Sequence, residues 1–322
     1  MGNEISNQLG GLPCARAERA ESFRPLEGVL MPDDPFDTTF MRKLEHLEIA
    51  FRRLRSGRGA GENVGKGRGG RTEFREHRRY TTGDDFRYID WNVFGRSDSL
   101  FVKEYAREER RTVAVLLDAS GSMSFGSPAK MLYAKQIAAA FAYLALAAGD
   151  EAVVAVFSDG IDKSITVAGQ KSRITQVFRE LRGVQPRART RIETSLKEFY
   201  ESIRTRSFVV LISDLMDSDC KASLAVLSAR GFEPCVIQVL SRGEADPRQT
   251  GRLRLKDSET GETRQIWVEG AELQEYKLIL NQFIEGWKTF CSKHGIDFAT
   301  AFTDMPFDEF VLGRLRRGGV LR

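Results

Sequence analysis

From about residue 111 onward the chain alternates two kinds of apolar pattern. Short unbroken runs rich in Val, Ile and Leu occur at 113–117, 152–157, 208–213, 234–240 and 297–302. Segments near 129–148, 172–181, 193–204, 220–229 and 271–294 instead place apolar residues three and four apart. A short unbroken run suits a strand covered on both faces, and the helical segments supply the crossovers that parallel neighbours need. The pattern predicts an α/β fold, doubly wound, with a mainly parallel sheet covered by helices on both faces.

Upstream the pattern changes. Phe40, Leu44, Leu47, Phe51 and Leu54 recur at helical spacing behind Asp37-Thr38-Thr39, a run suited to capping, so a helix is expected to about Arg55. Residues 71–105 are polar, with regularly placed aromatics and turn signals at Thr82-Gly83 and Arg96-Ser97-Asp98, which predicts a small, partly β subdomain. The first 36 residues mix Gly, Pro and charge without a lasting period and read as a flexible arm. The expected division is an arm (1–36), a segment with the helix, a Gly/Arg-rich loop and the subdomain (37–110), and the α/β domain with a C-terminal extension (111–322). No internal repeat is visible.

Composition narrows function more than fold. A net charge of +4 over 322 residues does not announce a dedicated nucleic-acid binder. Charge is gathered locally: residues 51–111 hold sixteen Lys and Arg against ten Asp and Glu, an excess of six. Interleaved acids such as Glu73, Glu76 and Glu108-Glu109 oppose a continuous phosphate track, so a protein partner or internal salt links are preferred there. Cys14, Cys220, Cys235 and Cys291 have no zinc-type spacing and read as reduced thiols. No run approaches the length of a membrane span and no apolar signal core opens the chain, so a cytoplasmic location is expected. The opening MGNEIS matches a lipidation pattern too loose to carry weight.

The candidate chemistry sits at strand ends. In a doubly wound sheet, ligands bind beyond the carboxyl ends of strands, near the reversal of strand order. Asp118-Ala119-Ser120-Gly121-Ser122 follows the run 113–117, Ser213-Asp214 follows the apolar stretch from 208, and Thr190 lies in a loop before a helix. Two carboxylates and three hydroxyls suit Mg²⁺ first, with Mn²⁺ or Ca²⁺ as alternatives, whereas zinc and copper favour His and Cys. So few negative charges leave a divalent ion electrophilic and one position open to an acid from another molecule. Gly121 is expected to let the backbone turn tightly between the serines.

Other chemistries fit less well. Around Gly65-Lys66 a phosphate-binding loop would need Gly five residues earlier and Ser or Thr next, but Ala60 and Gly67 stand there. A haloacid dehalogenase-like phosphatase would use Asp118 as nucleophile and needs a second Asp two residues on, where Ser120 stands. His46, His77 and His294 lack partners at ligand or catalytic spacing, and no nucleophile elbow is present.

The DASGS segment, Thr190 and Asp214 resemble the metal-ion-dependent adhesion site of von Willebrand factor A domains, a Rossmann-type fold. The resemblance implies that the two Ser and the Thr touch the metal while the two Asp act directly or through water. It also favours Thr190 over Thr194, because TRIETSL resembles the family's Thr followed by a helix Leu. Residues 67–105, DASGSMSFG, LKDSETGE and FTDMPFDEFVLGRL resemble the bacterial family called domain of unknown function 58, over about residues 37–322. That resemblance implies work beside a MoxR-type AAA+ ATPase as an adaptor in the assembly or maturation of protein complexes. Longer members carry transmembrane helices ahead of this region. The expected function is a non-enzymatic, cation-dependent protein-binding module, with nucleic-acid or acidic-surface binding through residues 51–111 as the main competitor.

Overall fold

The computed structural model describes residues 34–58, 73–97, 99–106, 111–187, 191–203, 207–216, 220–256 and 262–317. The expected arm, most of the Gly/Arg-rich loop, Cys14 and Thr190 lie outside the described residues. In chain order the elements are α1 (Thr38–Arg58), β1 (Glu73–Arg79), α2 (Trp91–Ser97), β2 (Phe101–Ala106), β3 (Thr112–Asp118), α3 (Lys130–Ala148), β4 (Glu151–Phe157) and β5 (Ile161–Ala168). They continue with α4 (Ile174–Arg182), α5 (Ile192–Ser202), β6 (Ser207–Ser213), α6 (Lys221–Ala229), β7 (Glu233–Leu240) and α7 (Arg242–Ala245). The last are β8 (Gly251–Lys256), β9 (Thr263–Val268), α8 (Gly270–Lys293), β10 (Asp297–Phe302) and α9 (Phe307–Arg317).

Contacts divide the chain into two units, one spanning 1–56 with 111–322 and the other 57–110. The larger unit is built on a six-stranded sheet of order β10-β7-β6-β3-β4-β5, in which all neighbours run parallel except β4 and β5. Alternate residues of the apolar strands enter two separate cores. Val113, Val115 and Leu117 face α1, α3, α4 and α9, while Ala114 and Leu116 face α5, α6 and α8. This is the three-layer, mainly parallel α/β arrangement that unbroken apolar strands demand. The order reverses between β3 and β6: the chain winds outward from β3 to β5, then returns to place β6 on the other side of β3.

The helix α3 is apolar nearly all round, and fifteen of its nineteen residues are buried. Among the described residues it is the one helix long and apolar enough to cross a membrane, but it packs on β3, β4, α4 and α9 as the central helix of the core. The antiparallel edge strand β5, the short α7, the β8–β9 hairpin and α9 were not expected. Cys220, Cys235 and Cys291 are buried, reduced thiols, as expected.

Position in the chain grouped α1 with residues 37–110, but the structure assigns it to the larger unit. Phe40, Leu44, Leu47 and Phe51 are its buried stripe and belong to the same core as Val113 and Phe141. Its Glu48 accepts hydrogen bonds from Tyr143 Oη at 2.7 Å and Lys171 Nζ at 2.8 Å. Burial opposes ionisation of Glu48, but the bonds from Lys171 and Tyr143 outweigh it and hold the carboxyl below its ordinary 4.5. A depressed folded-state value stabilises the fold above 4.5, and that contribution is lost as pH falls through the folded value. Glu48→Gln is therefore expected to cost about 1–3 kcal/mol at neutral pH and to flatten the loss of stability below pH 4.5, as read by urea denaturation across pH.

The smaller unit pairs β1 with β2 antiparallel and carries a helical turn at Phe86–Tyr88 and the short α2. Asp84 accepts from Arg78 and from the Thr81 backbone and hydroxyl, Asp85 from Arg87, and Asp90 caps α2 at Asn92. These bonds give the Gly83-Asp84-Asp85 and Asp90-Trp91 motifs a folding role inside the unit. Asp84 is held down to about 2, chiefly by Arg78.

Candidate functional site

The reversal of strand order brings two of the predicted loops together. Leu117 of β3 sits in register with Ile212 of β6, so the residues that follow, Asp118 and Ser213-Asp214, leave the sheet side by side. The Ser213 hydroxyl donates to Asp118 Oδ2 at 2.5 Å, and the Ser120 backbone N–H donates to Asp118 Oδ1 at 2.8 Å. Ser120 and Ser122 project their hydroxyls to within 2.9 Å of each other, and Ser122 also hydrogen-bonds the Asp214 carboxylate. Four of the five predicted residues are thus gathered at one point, all of them at most 4% exposed.

Local backbone chemistry aims these groups. After Ser120 the chain makes a tight helical turn at Gly121–Ser124, with Met123 N–H donating to Ser120 C=O. Gly121 is not among the residues with positive φ, so the turn does not draw on glycine's left-handed freedom as expected. That conformation falls instead on Leu215, at φ 61°, directly after Asp214. A non-glycine residue there is strained by roughly 1–2 kcal/mol. It is held by full burial of its side chain and by its N–H donating to Ser213 Oγ at 2.9 Å. The next N–H, of Met216, donates to Asp214 Oδ1 at 3.2 Å. Strain of this kind is maintained where the surroundings over-determine a geometry, and such places cluster at functional sites.

Thr190 lies outside the described residues. Its flanks are anchored beside the cluster: Arg187 N–H donates to Ala119 C=O at 2.6 Å, and Arg191 N–H donates to Ser158 C=O at 2.8 Å. The alternative Thr194 lies on α5 and is exposed.

Sequence reasoning missed two members of the cluster. Lys130, the first residue of α3, is completely buried and donates to Asp214 Oδ2 at 2.7 Å and to Glu244 Oε1 at 2.6 Å. Glu244 caps the turn that follows β7, its Oε2 accepting from the Ser241 N–H at 2.8 Å. Burial, then the Asp214 charge, raises the Asp118 carboxyl above its ordinary range. Burial works the same way on Asp214, but the Lys130 ammonium outweighs it and holds that carboxyl low.

The donor set fits a hard divalent cation. Its atoms are all oxygen, Asp118 accepts from the neutral Ser120 N–H and Ser213 hydroxyl, and Lys130 divides one positive charge between Asp214 and Glu244. When ionised, three carboxylates and one ammonium leave this buried group at −2. Among the described residues no cluster of three or more His, Cys, Asp or Glu suits a metal, so any ion here depends on the hydroxyls.

Residues 76–277 match the family described as "protein of unknown function DUF58". The chain belongs to this family. Two relatives, the uncharacterized protein Rv1480 of Mycobacterium tuberculosis and the uncharacterized protein Mb1516 of Mycobacterium bovis, are 24% identical over 249 residues, or 75% of this chain and 78% of each relative. Among solved structures, the conserved hypothetical protein BatB from Bacteroides thetaiotaomicron has a TM-score of 0.41 at 13% identity, covering 64% of this chain and 98% of that one. An aerotolerance-related membrane protein from Bacteroides fragilis has a TM-score of 0.38 at 14% identity, over 65% and 98%. The DUF58 match begins within β1 and takes in the rest of the smaller unit and the whole Asp118–Asp214–Glu244 cluster.

Proposed function

We propose that this DUF58 chain is a von Willebrand factor A-like binding module in which Asp118, Ser120, Ser122, Thr190 and Asp214 hold Mg²⁺, and that it recruits proteins without turnover of its own. The observation that carries the reading is the meeting of Asp118, Ser120, Ser122 and Asp214 at the reversal of strand order. A group at −2 is neutralised by a divalent ion, which stays electrophilic at an open position where a carboxylate from a partner can bind. The ion supplies that electrophilic contact; the chain's own residues orient the donors and exclude water. Because the four described residues are at most 4% exposed, the surrounding loops part before a partner reaches them. A carboxylate as enclosed as Asp118, at 1% exposure with both oxygens hydrogen-bonded, is poorly placed for nucleophilic attack, which supports a binding role over a phosphatase role.

The proposed partner is a MoxR-type AAA+ ATPase together with the client it acts on, as the resemblance in sequence suggests. The proposal places the domain in the cytoplasm. One similar structure is that of a protein named as a membrane protein, and fractionation of cells into soluble and membrane pools decides the location. The cation is tested by titrating Mg²⁺ into the wild type, whose melting temperature is expected to rise. An ion at one hundred times its Kd stabilises by about 2.7 kcal/mol. Asp118→Ala is expected to abolish the rise, and an undiminished rise in that variant places the ion elsewhere.

A further inference from the structure

Lys130 is an unusual neighbour for a cation site. A completely buried lysine is tolerated only when paired, and this one is paired twice, with Asp214 from the end of β6 and Glu244 from the turn after β7. Its two partners lie 84 and 114 residues away in sequence, so the sheet, not local folding, assembles the triad. The ammonium competes directly with any ion for Asp214. Glu244 draws the same ammonium the other way, and is itself fixed by the Ser241 N–H and hydroxyl at 2.8 and 2.9 Å.

We infer that Lys130 and Glu244 form a built-in charge pair that sets how tightly the site binds its divalent cation. This inference rests on the cation reading of the site. Lys130 is a positioning residue that holds Asp214 in place of an ion and keeps the resting affinity low. Glu244 limits that competition. Affinity then follows the net charge of the four groups, which is −2 in the wild type. Lys130→Met takes it to −3, Glu244→Gln alone to −1, and the two together return it to −2.

The test is calorimetric titration of the full chain and these variants with MgCl₂, repeated with MnCl₂ by water-proton relaxation, with folding monitored by thermal melts. Lys130→Met is expected to bind about tenfold or more tightly than wild type, because a charge in a poorly screened interior acts strongly on an adjacent ion. It is also expected to melt lower without Mg²⁺ and to recover with it. Glu244→Gln is expected to bind several-fold more weakly. The double variant restores a neutral pair of similar volume, stays folded where Lys130→Met does not, and at the wild-type charge binds about as tightly as the wild type. Lys130→Arg keeps the charge and gives no gain in affinity. A purely structural lysine would lower stability in every variant without ordering the affinities by charge. Wild-type binding with Lys130→Met no tighter overturns the inference alone. Absence of binding in all variants overturns both it and the cation reading. Binding by Lys130→Met but not by the wild type supports both.

Discussion

Phe40→Ala is expected to lower the stability of the larger unit by about 3–5 kcal/mol, the range for emptying a buried aromatic site. Phe40 is 2% exposed, and its ring centroid stands 5.2 Å from Phe36, 5.9 Å from Phe178 of α4 and 4.8 Å from Phe307 of α9. It therefore joins three helices on one face of the sheet, and each aromatic pair adds about 0.5–1.5 kcal/mol beyond area burial. Urea denaturation of Phe40→Ala beside Ile49→Ala checks this, because Ile49 lies on the same helix but is 50% exposed. The Ile49 change should stay within about 0.5 kcal/mol of wild type. Equal, small effects from the two changes would show that α1 is an appendage and that the domain begins near residue 111.

The same helix shows what the sequence carries and what it withholds. Its stripe of Phe40, Leu44, Leu47 and Phe51 was legible because burial imposes a helical period, but nothing local says which core the stripe enters. The parallel strands were legible for a similar reason, since coverage on both faces leaves no polar alternation. The edge strand β5 has one neighbour and mostly exposed residues, so Asp162, Lys163 and Ser164 conceal it. Ser158-Asp159-Gly160 between two β-type runs was the available signal for that hairpin. For α9, Pro306 followed by Asp308 and Glu309, with Phe307, Phe310, Val311 and Leu315 at helical spacing, is a readable helix signal.

The site divides along the same line. Asp118, Ser120, Ser122 and Asp214 could be found because their role follows from standing at strand ends. Lys130 looks like a solvated residue at a helix start, and its burial depends on two carboxylates that only the assembled sheet brings near. Glu244 had a local trace in Ser241-Arg242-Gly243-Glu244, the spacing of a capping box, but its second oxygen's bond to Lys130 is long-range.

Ser120→Ala combined with Ser122→Ala is expected to abolish cation-dependent partner binding while the domain stays folded. The two hydroxyls lie 2.9 Å apart and are the uncharged donors of the set, so removing them leaves the Asp214–Lys130–Glu244 charges matched as before. The stability cost is about 2–4 kcal/mol, for the lost bond between the two hydroxyls and the lost bond from Ser122 to the Asp214 carboxylate. The measurement is a pull-down from native lysate with the chain as bait, in Mg²⁺ or in EDTA, at low and high salt. A MoxR-type ATPase or its client held through a carboxylate should be retained in Mg²⁺, lost in EDTA and absent with the double variant. Nucleic acid held by the Arg-rich segment 51–111 should ignore EDTA and both serines, and should weaken steeply with salt, because releasing counterions from phosphates drives that binding. The acids of the described part of that segment already serve its own fold, with Asp84 bound to Arg78 and Asp85 to Arg87. These internal pairs use cations that a phosphate track would need free, so the metal-dependent outcome is the expected one. A partner set unchanged by chelation and by the double variant would sink the adaptor reading.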